Sequence, residues 1–218
     1  METYFNQNNI TNREIKIIFY NLIKAYNILK KNNIVHNDIS PRNILIQSPE
    51  TVKLCDFEDS FFFDKINGDD LFPVFNPLRR ATINYLSPEL MAWTKLADKI
   101  NFIIYNPYKS NIFSLGLCLL NACGIDITNL NIFGSFWNIH IGKLLTVGYD
   151  YIVKDSLKQV SYNLLREELQ DTIDKKIKEF PYDSLSKTLR KMLEVDMVER
   201  ASFDKLYRDA KYYMGIFN

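Results

Sequence analysis

The side chains best suited to chemistry stand in the run Ile34-Val35-His36-Asn37-Asp38-Ile39-Ser40-Pro41-Arg42-Asn43-Ile44-Leu45-Ile46, where an Asp and an Asn lie five apart directly before an apolar segment. A second carboxylate, Asp56, follows in Val52-Lys53-Leu54-Cys55-Asp56-Phe57-Glu58. Carboxylate and amide oxygens are the ligands that a hard divalent cation prefers. The plainer reading of either stretch alone is a loop in which Asp and Asn cap turns. The two readings differ in what the neighbouring elements must do, since shared chemistry requires residues 38, 43 and 56 to meet at one point.

Other chemistries find less support. Cys55, Cys118 and Cys123 are odd in number and lie in apolar stretches without metal-ligand or disulfide-framework spacing, which suits a reducing compartment. Adding His36 and His140 does not compose a structural zinc site. Lys and Arg number 27 against 26 for Asp and Glu, a formal charge of +1, so there is no basic field of the kind that neutralises nucleic-acid phosphates. The start, Met1-Glu2-Thr3-Tyr4-Phe5-Asn6, is not that of a signal peptide. The longest apolar stretch, Ile112 to Cys123, is broken by Ser114, Gly116 and Asn121 and is too short to span a bilayer. These features predict an intracellular, cytoplasmic protein with neither nucleic acid nor membrane as a partner.

The elements that must position these residues are mostly helical. At 218 residues and 47% hydrophobic content, one sizeable core is expected. Ile15, Ile18, Phe19, Leu22, Tyr26 and Leu29 recur at helical spacing, predicting an amphipathic helix from Asn12 to Lys31 with a Thr11/Glu14 capping box at its start. Asn43 to Gln47 and Val52 to Cys55, separated by Ser48-Pro49-Glu50, read as a small β-hairpin. From Asp59 to Arg80 the pattern is irregular and reads as a long functional loop. Beyond it, helices are expected near Pro88 to Thr94, Asn111 to Cys123, Val160 to Glu179, Ser184 to Glu194 and Phe203 to Met214. The second of these is apolar on all sides, the mark of a buried central post.

In this setting Asp38 and Asn43 resemble the catalytic loop H-R-D-x-x-x-x-N of the eukaryotic-type protein kinases, and Asp56-Phe57-Glu58 resembles their D-F-G motif. Ala81-Thr82-Ile83-Asn84-Tyr85-Leu86-Ser87-Pro88-Glu89 resembles the substrate-platform segment ending in A-P-E, and Ser110-Asn111-Ile112-Phe113-Ser114-Leu115-Gly116 the start of the central helix. The resemblance implies a mainly α, kinase-like C-terminal lobe over residues 1–218, a single truncated domain whose hairpin carries the catalytic and metal loops and whose activation-type loop spans about residues 59–89. It further implies ATP and Mg2+ as cofactors, Asp38 as the residue that orients the acceptor hydroxyl, and Asn43 and Asp56 as metal and nucleotide ligands. Thr82 would border the substrate pocket. His36 would be a packing residue, Glu89 and Arg200 a structural pair, and Asn111, where the family usually has Asp, an uncharged anchor.

The chain also departs from that pattern. Nothing before Thr11 resembles a Gly-rich loop or the lysine and glutamate that grip phosphates, and no glycine precedes Gly68; the resemblance places the start of the chain just after the hinge. Glu58 replaces a glycine, Asn37 an arginine that binds activation-loop phosphate, and Ser40 a lysine that contacts the transferred group. No Ser, Thr or Tyr stands between Phe61 and Ala81, which agrees with Asn37 in implying no switching by activation-loop phosphorylation. Three functions are therefore expected in descending order. The first is a protein Ser/Thr kinase-like phosphotransferase, weak or inactive unless a separate chain supplies an N-lobe. The second is a truncated pseudokinase serving as a binding scaffold. The third is a small-molecule kinase of the aminoglycoside or choline type. Three further features have plain readings: Phe61-Phe62-Phe63 as packing rather than docking, Lys175-Lys176 and Lys178 with Asp171 and Asp174 as a solvated helix face, and Trp93 and Trp137 as packing.

Overall fold

A computed structural model describes residues 1–63, 72–75, 82–94, 102–127 and 156–214. Their helices are α1 (Glu2–Gln7), α2 (Asn12–Lys31), α3 (Pro88–Thr94), α4 (Pro107–Ala122), α5 (Ser156–Lys178), α6 (Asp183–Met192) and α7 (Phe203–Tyr213). The strands are β1 (Ile34–Val35), β2 (Ile44–Ser48), β3 (Thr51–Leu54), β4 (Phe61–Phe62), β5 (Phe72–Phe75) and β6 (Phe102–Tyr105). The fold is thus mainly α, with three two-stranded antiparallel ribbons among the described residues. Trp137, His140 and the side chain of Trp93 lie outside what is described.

Helix α2 starts where its local chemistry dictates. Thr11 Oγ1 accepts from the Glu14 N–H at 3.2 Å while Glu14 Oε2 accepts from the Thr11 N–H at 2.8 Å, so two otherwise orphaned donors are satisfied reciprocally. Ile15, Ile18, Phe19, Leu22, Ile23 and Tyr26 form the buried face. That face meets α7, where Tyr26 stacks on Phe203 with ring centroids 5.7 Å apart. Lys30, in the last turn, pairs with Asp204 across the same seam.

The hairpin forms as expected, with Ile44 opposite Leu54 and Ile46 opposite Val52, and a register shift between Ile46 and Ser48 that accommodates the turn. The described parts of the segment after Asp59 include two strands that its composition does not suggest. Phe61 and Phe62 pair with Val35 and Ile34, and Phe72–Phe75 pair with Phe102–Tyr105. Pro73 obscured this second ribbon: a proline marks a breaker in sequence, yet in a two-stranded ribbon every strand is an edge and the missing N–H can face away from the partner. Of the three phenylalanines, Phe63 is buried and packs edge-on against Tyr108 of α4 at 5.8 Å, while Phe62 is 80% exposed.

Helix α4 is the buried post. It begins at Pro107 rather than at Asn111, because Asn106 caps it by accepting from the Lys109 N–H at 3.0 Å and proline fits the first helical position. Gly116 lets α4 approach the end of α6: a Cβ there would lie 2.8 Å from Leu193 Cδ2, and Leu193 is fully buried. On α5, Lys175 and Lys178 are exposed as expected, and Asp174, partly exposed, pairs with Arg190 at 2.7 Å.

The tie that fixes the far end of the lobe is Glu89 of α3 with Arg200, 4% and 1% exposed respectively. Arg200 Nη1 donates to Glu89 Oε1 at 2.8 Å and Nη2 to Oε2 at 3.0 Å, a two-pronged match of guanidinium to carboxylate. The remaining donors reach the carbonyls of Lys109 at 3.0 Å, Val195 at 3.2 Å and Glu194 at 2.7 Å, so all five N–H groups are satisfied.

Two stability measurements follow from this packing. Gly116→Ala gains helix propensity of about 1 kcal/mol but overpacks Leu193 by roughly 1–3 kcal/mol, so a net loss is expected in urea unfolding. Arg200→Met leaves the Glu89 carboxylate buried and uncompensated, and the same assay is expected to record a loss of about 3–5 kcal/mol.

Candidate active site

The site is built on the loop between β1 and β2. Asn37 takes a left-handed conformation, φ 68°, which Asn tolerates better than most residues, and the chain turns there to present Asp38. Asp38 is buried, its side chain 8% exposed. Its Oδ2 accepts from Asn43 Nδ2 at 2.8 Å, and the same amide nitrogen donates to the Asp38 carbonyl at 2.9 Å. A short 3-10 turn, Pro41–Asn43, holds Asn43 in place through its N–H to the Ser40 carbonyl at 3.0 Å. Both amide hydrogens of Asn43 are therefore used, and its Oδ1 is the atom left to accept or to ligate.

Asp38 Oδ1 is held from the other side. The Thr82 N–H donates to it at 3.0 Å and the Thr82 hydroxyl at 2.9 Å. Arg42 Nη2 in turn donates to Thr82 Oγ1 at 2.8 Å and lies 3.8 Å from Asp38 Oδ2. Each carboxylate oxygen is thus oriented by fixed donors, and the segment that begins at Thr82 is clamped to the loop bearing Asp38.

Asp56 is delivered by the hairpin. The ladder continues past Ile44 and Leu54 with the Cys55 N–H donating to the Asn43 carbonyl at 3.1 Å, which sets Asp56 one residue beyond the partner of Asn43. Asp56 itself is left-handed, φ 64°, and exposed. A carboxylate and an amide oxygen are ligand types that would suit Mg2+, a cation that takes few protein ligands and completes its shell with water and phosphate. Among the described residues there is no group of three or more His, Cys, Asp and Glu side chains placed to hold a metal ion.

His36 lies behind this surface, fully buried. Its Nε2 is 3.1 Å from the Cys55 carbonyl, its own carbonyl accepts from the Ser60 hydroxyl at 3.2 Å, and its ring lies 4.7 Å from that of Phe57. It thereby joins the loops bearing Asp38 and Asp56. Asn111 is buried on α4. Arg42 is the participant that sequence reasoning left without a role; the signal was a cation four residues after Asp38. Ser40, by contrast, is 1% exposed, with its hydroxyl unpartnered.

Burial holds the His36 imidazole below the ordinary histidine range, against the opposing pull of the Cys55 carbonyl, Asp38 and Asp56. As pH falls the unfolded chain takes up this proton first. The stability due to His36 is therefore complete above about pH 6.5 and lost as pH drops toward the lower folded value. The urea midpoint is expected to fall between about pH 7.5 and 5.5 by more than it does in His36→Gln; equal falls would assign the effect to other groups.

Comparison with known proteins gives a consistent result. The family model described as the protein kinase domain matches residues 1–211. Cyclin-dependent kinase-like 5 of Mus musculus is 46% identical over 50 residues, 23% of this chain and 5% of that protein. The TBC domain-containing protein kinase-like protein of Mus musculus is 30% identical over 119 residues, 52% of this chain and 12% of that protein. The serine/threonine-protein kinase PKH2 of Saccharomyces cerevisiae is 26% identical over 147 residues, 64% of this chain and 13% of that protein. The chain thus spans a small fraction of the length of these relatives. No helix among the described residues is long and apolar enough to cross a membrane. With the order of its motifs, its helical lobe and a family match over nearly its whole length, the chain belongs to the eukaryotic-type protein kinase family.

Proposed function

We propose that this lobe is a protein kinase-like phosphotransferase that passes the γ-phosphoryl group of ATP to a protein Ser or Thr hydroxyl, weakly or not at all unless a separate chain supplies an N-lobe. The observation that carries the reading is the fixed carboxylate of Asp38, with Oδ1 held by Thr82 and Oδ2 by Asn43. When bound, Mg2+ and ATP would supply the transferable group and neutralise its charge. Asn43 Oδ1 and the Asp56 carboxylate would hold the metal. Asp38 would orient the acceptor hydroxyl and receive its proton, its own geometry set before the substrate arrives, which is where most of the rate enhancement in phosphoryl transfer originates. Thr82, hydrogen-bonded to Asp38, would place the acceptor segment beside that carboxylate.

A second reading, a binding scaffold without turnover, is favoured by Ser40 being buried and by Glu58 standing after Asp56-Phe57. The small-molecule kinase reading is disfavoured by the Glu89–Arg200 pair, a feature of protein kinases. Calorimetric titration of the full chain with Mg2+ and ATP separates the first two. Mg2+-dependent binding is expected, and Asp56→Ala should weaken it by roughly tenfold or more. A folded protein that binds ATP equally with and without Mg2+, or not at all, would leave the scaffold reading.

A further inference from the structure

We propose that the outer face of α2, together with the edge of α7 beside it, is a docking surface for an acidic segment of a partner protein. The inference does not depend on turnover and holds equally for a catalytic lobe and for a scaffold. Arg13, Lys16, Tyr20, Lys24 and Lys31 recur at helical spacing on the face of α2 turned away from Ile15, Ile18, Leu22 and Tyr26. Arg13, Lys24 and Lys31 are exposed, Lys16 and Tyr20 partly so. The acid of α2, Glu14, is committed to the Thr11 cap. Helix α7 extends the row across the seam. Tyr207 stacks on Tyr20 with ring centroids 5.9 Å apart, and Lys211 Nζ lies 5.3 Å from the centre of the Tyr207 ring, which holds a cation over the aromatic pair. Arg208, the next residue, is exposed.

The two helices do not neutralise this row themselves. They carry eight Lys and Arg against three Asp and Glu, on a chain whose totals are 27 and 26. Both acids of α7 are taken, Asp204 by Lys30 and Asp209 by Lys191 at 3.3 Å, and Arg13, Lys16, Lys24, Lys31 and Arg208 make no ion pair among the described residues. On α5, by contrast, Lys175 and Lys178 stand among exposed Glu167, Glu168, Asp171 and Glu179, a mixture of signs that needs no partner. From Arg13 to Lys31 the row covers about 27 Å at 1.5 Å per helical residue, the span of about eight residues of extended chain. A bilayer is the poorer fit, because a helix that binds lipid inserts its apolar face, and that of α2 is buried in the core.

The test is fluorescence anisotropy of the full chain with a labelled peptide of about ten residues that alternates Glu with Ser, and with its counterpart in which Gln replaces Glu. The chain is compared with two paired variants of α2, Lys16→Gln with Lys24→Gln and Arg13→Gln with Lys31→Gln, and with the α5 pair Lys175→Gln and Lys178→Gln. The Glu peptide is expected to bind and the Gln peptide not to. Each α2 pair should weaken binding roughly three- to tenfold and the α5 pair less than about twofold, with affinity falling as salt is raised. No binding of the Glu peptide, equal binding of the Gln peptide, or an α5 effect as large as that of α2 overturns the proposal. Tighter binding of phosphatidylserine vesicles or single-stranded RNA at the same concentration of anionic groups also overturns it. Thermal melting is recorded for every form, and should one α2 pair unfold the chain, the other decides.

Discussion

The architecture depends most on the enclosed pair of Glu89 and Arg200. Removing two charges from water is costly, and the cost is offset here because every donor of the guanidinium has an acceptor and the carboxylate is met on both oxygens. The pair joins three parts of the chain that share no local sequence: α3, the carbonyl of Lys109 on α4, and the turn from Glu194 to Arg200. That turn is braced in its own right. Gln170 Oε1 accepts from the Val195 N–H at 2.9 Å, Arg166 pairs with Asp196, and Lys109 Nζ donates to the Val198 carbonyl at 2.8 Å. The buried hydroxyls of Ser87 and Ser110, 2.8 Å apart, add a further link between the platform segment and α4.

With its far end fixed, the platform segment can be held at its near end by Thr82, and the site becomes a junction of two loops rather than a feature of either. Asn37 and Asp56 both adopt left-handed backbone conformations, which cost of order 1 kcal/mol or more for non-glycine residues and persist only where surrounding structure determines them. His36 is a large part of that surrounding structure: its ring and carbonyl engage Cys55, Phe57 and Ser60 at once. Two of the three left-handed non-glycine residues among those described thus stand where the carboxylates are aimed, the third being Asn33 after α2.

Local signals were legible in the sequence and distant ones were not. The face and start of α2 follow from apolar spacing and a two-residue box, both within one segment, and the structure reproduces them. The β2–β3 hairpin is likewise local. The β5–β6 ribbon joins strands far apart in sequence, and the Asn67-Gly68-Asp69-Asp70 run and Pro73 made its first strand look like a loop. Asn106-Pro107 held the start of α4 in plain view, but the capping bond to Lys109 had to be seen before the boundary moved from Asn111. The demand on Gly116 comes from Leu193, which no pattern around the glycine reveals. For the site, the spacing of Asp38, Asn43 and Asp56 was readable, whereas the bond from Arg42 to Thr82 spans two loops and has no sequence signature.

The account turns on whether the Asn43 amide oxygen and the Asp56 carboxylate share one cation beside Asp38. A crystal structure of the chain with Mg2+ and a non-hydrolysable ATP analogue addresses this directly. The account predicts a single Mg2+ at about 2.0–2.1 Å from an oxygen of each of the two side chains. A metal bound elsewhere, or these two side chains on surfaces too far apart to reach a common ion, would contradict it.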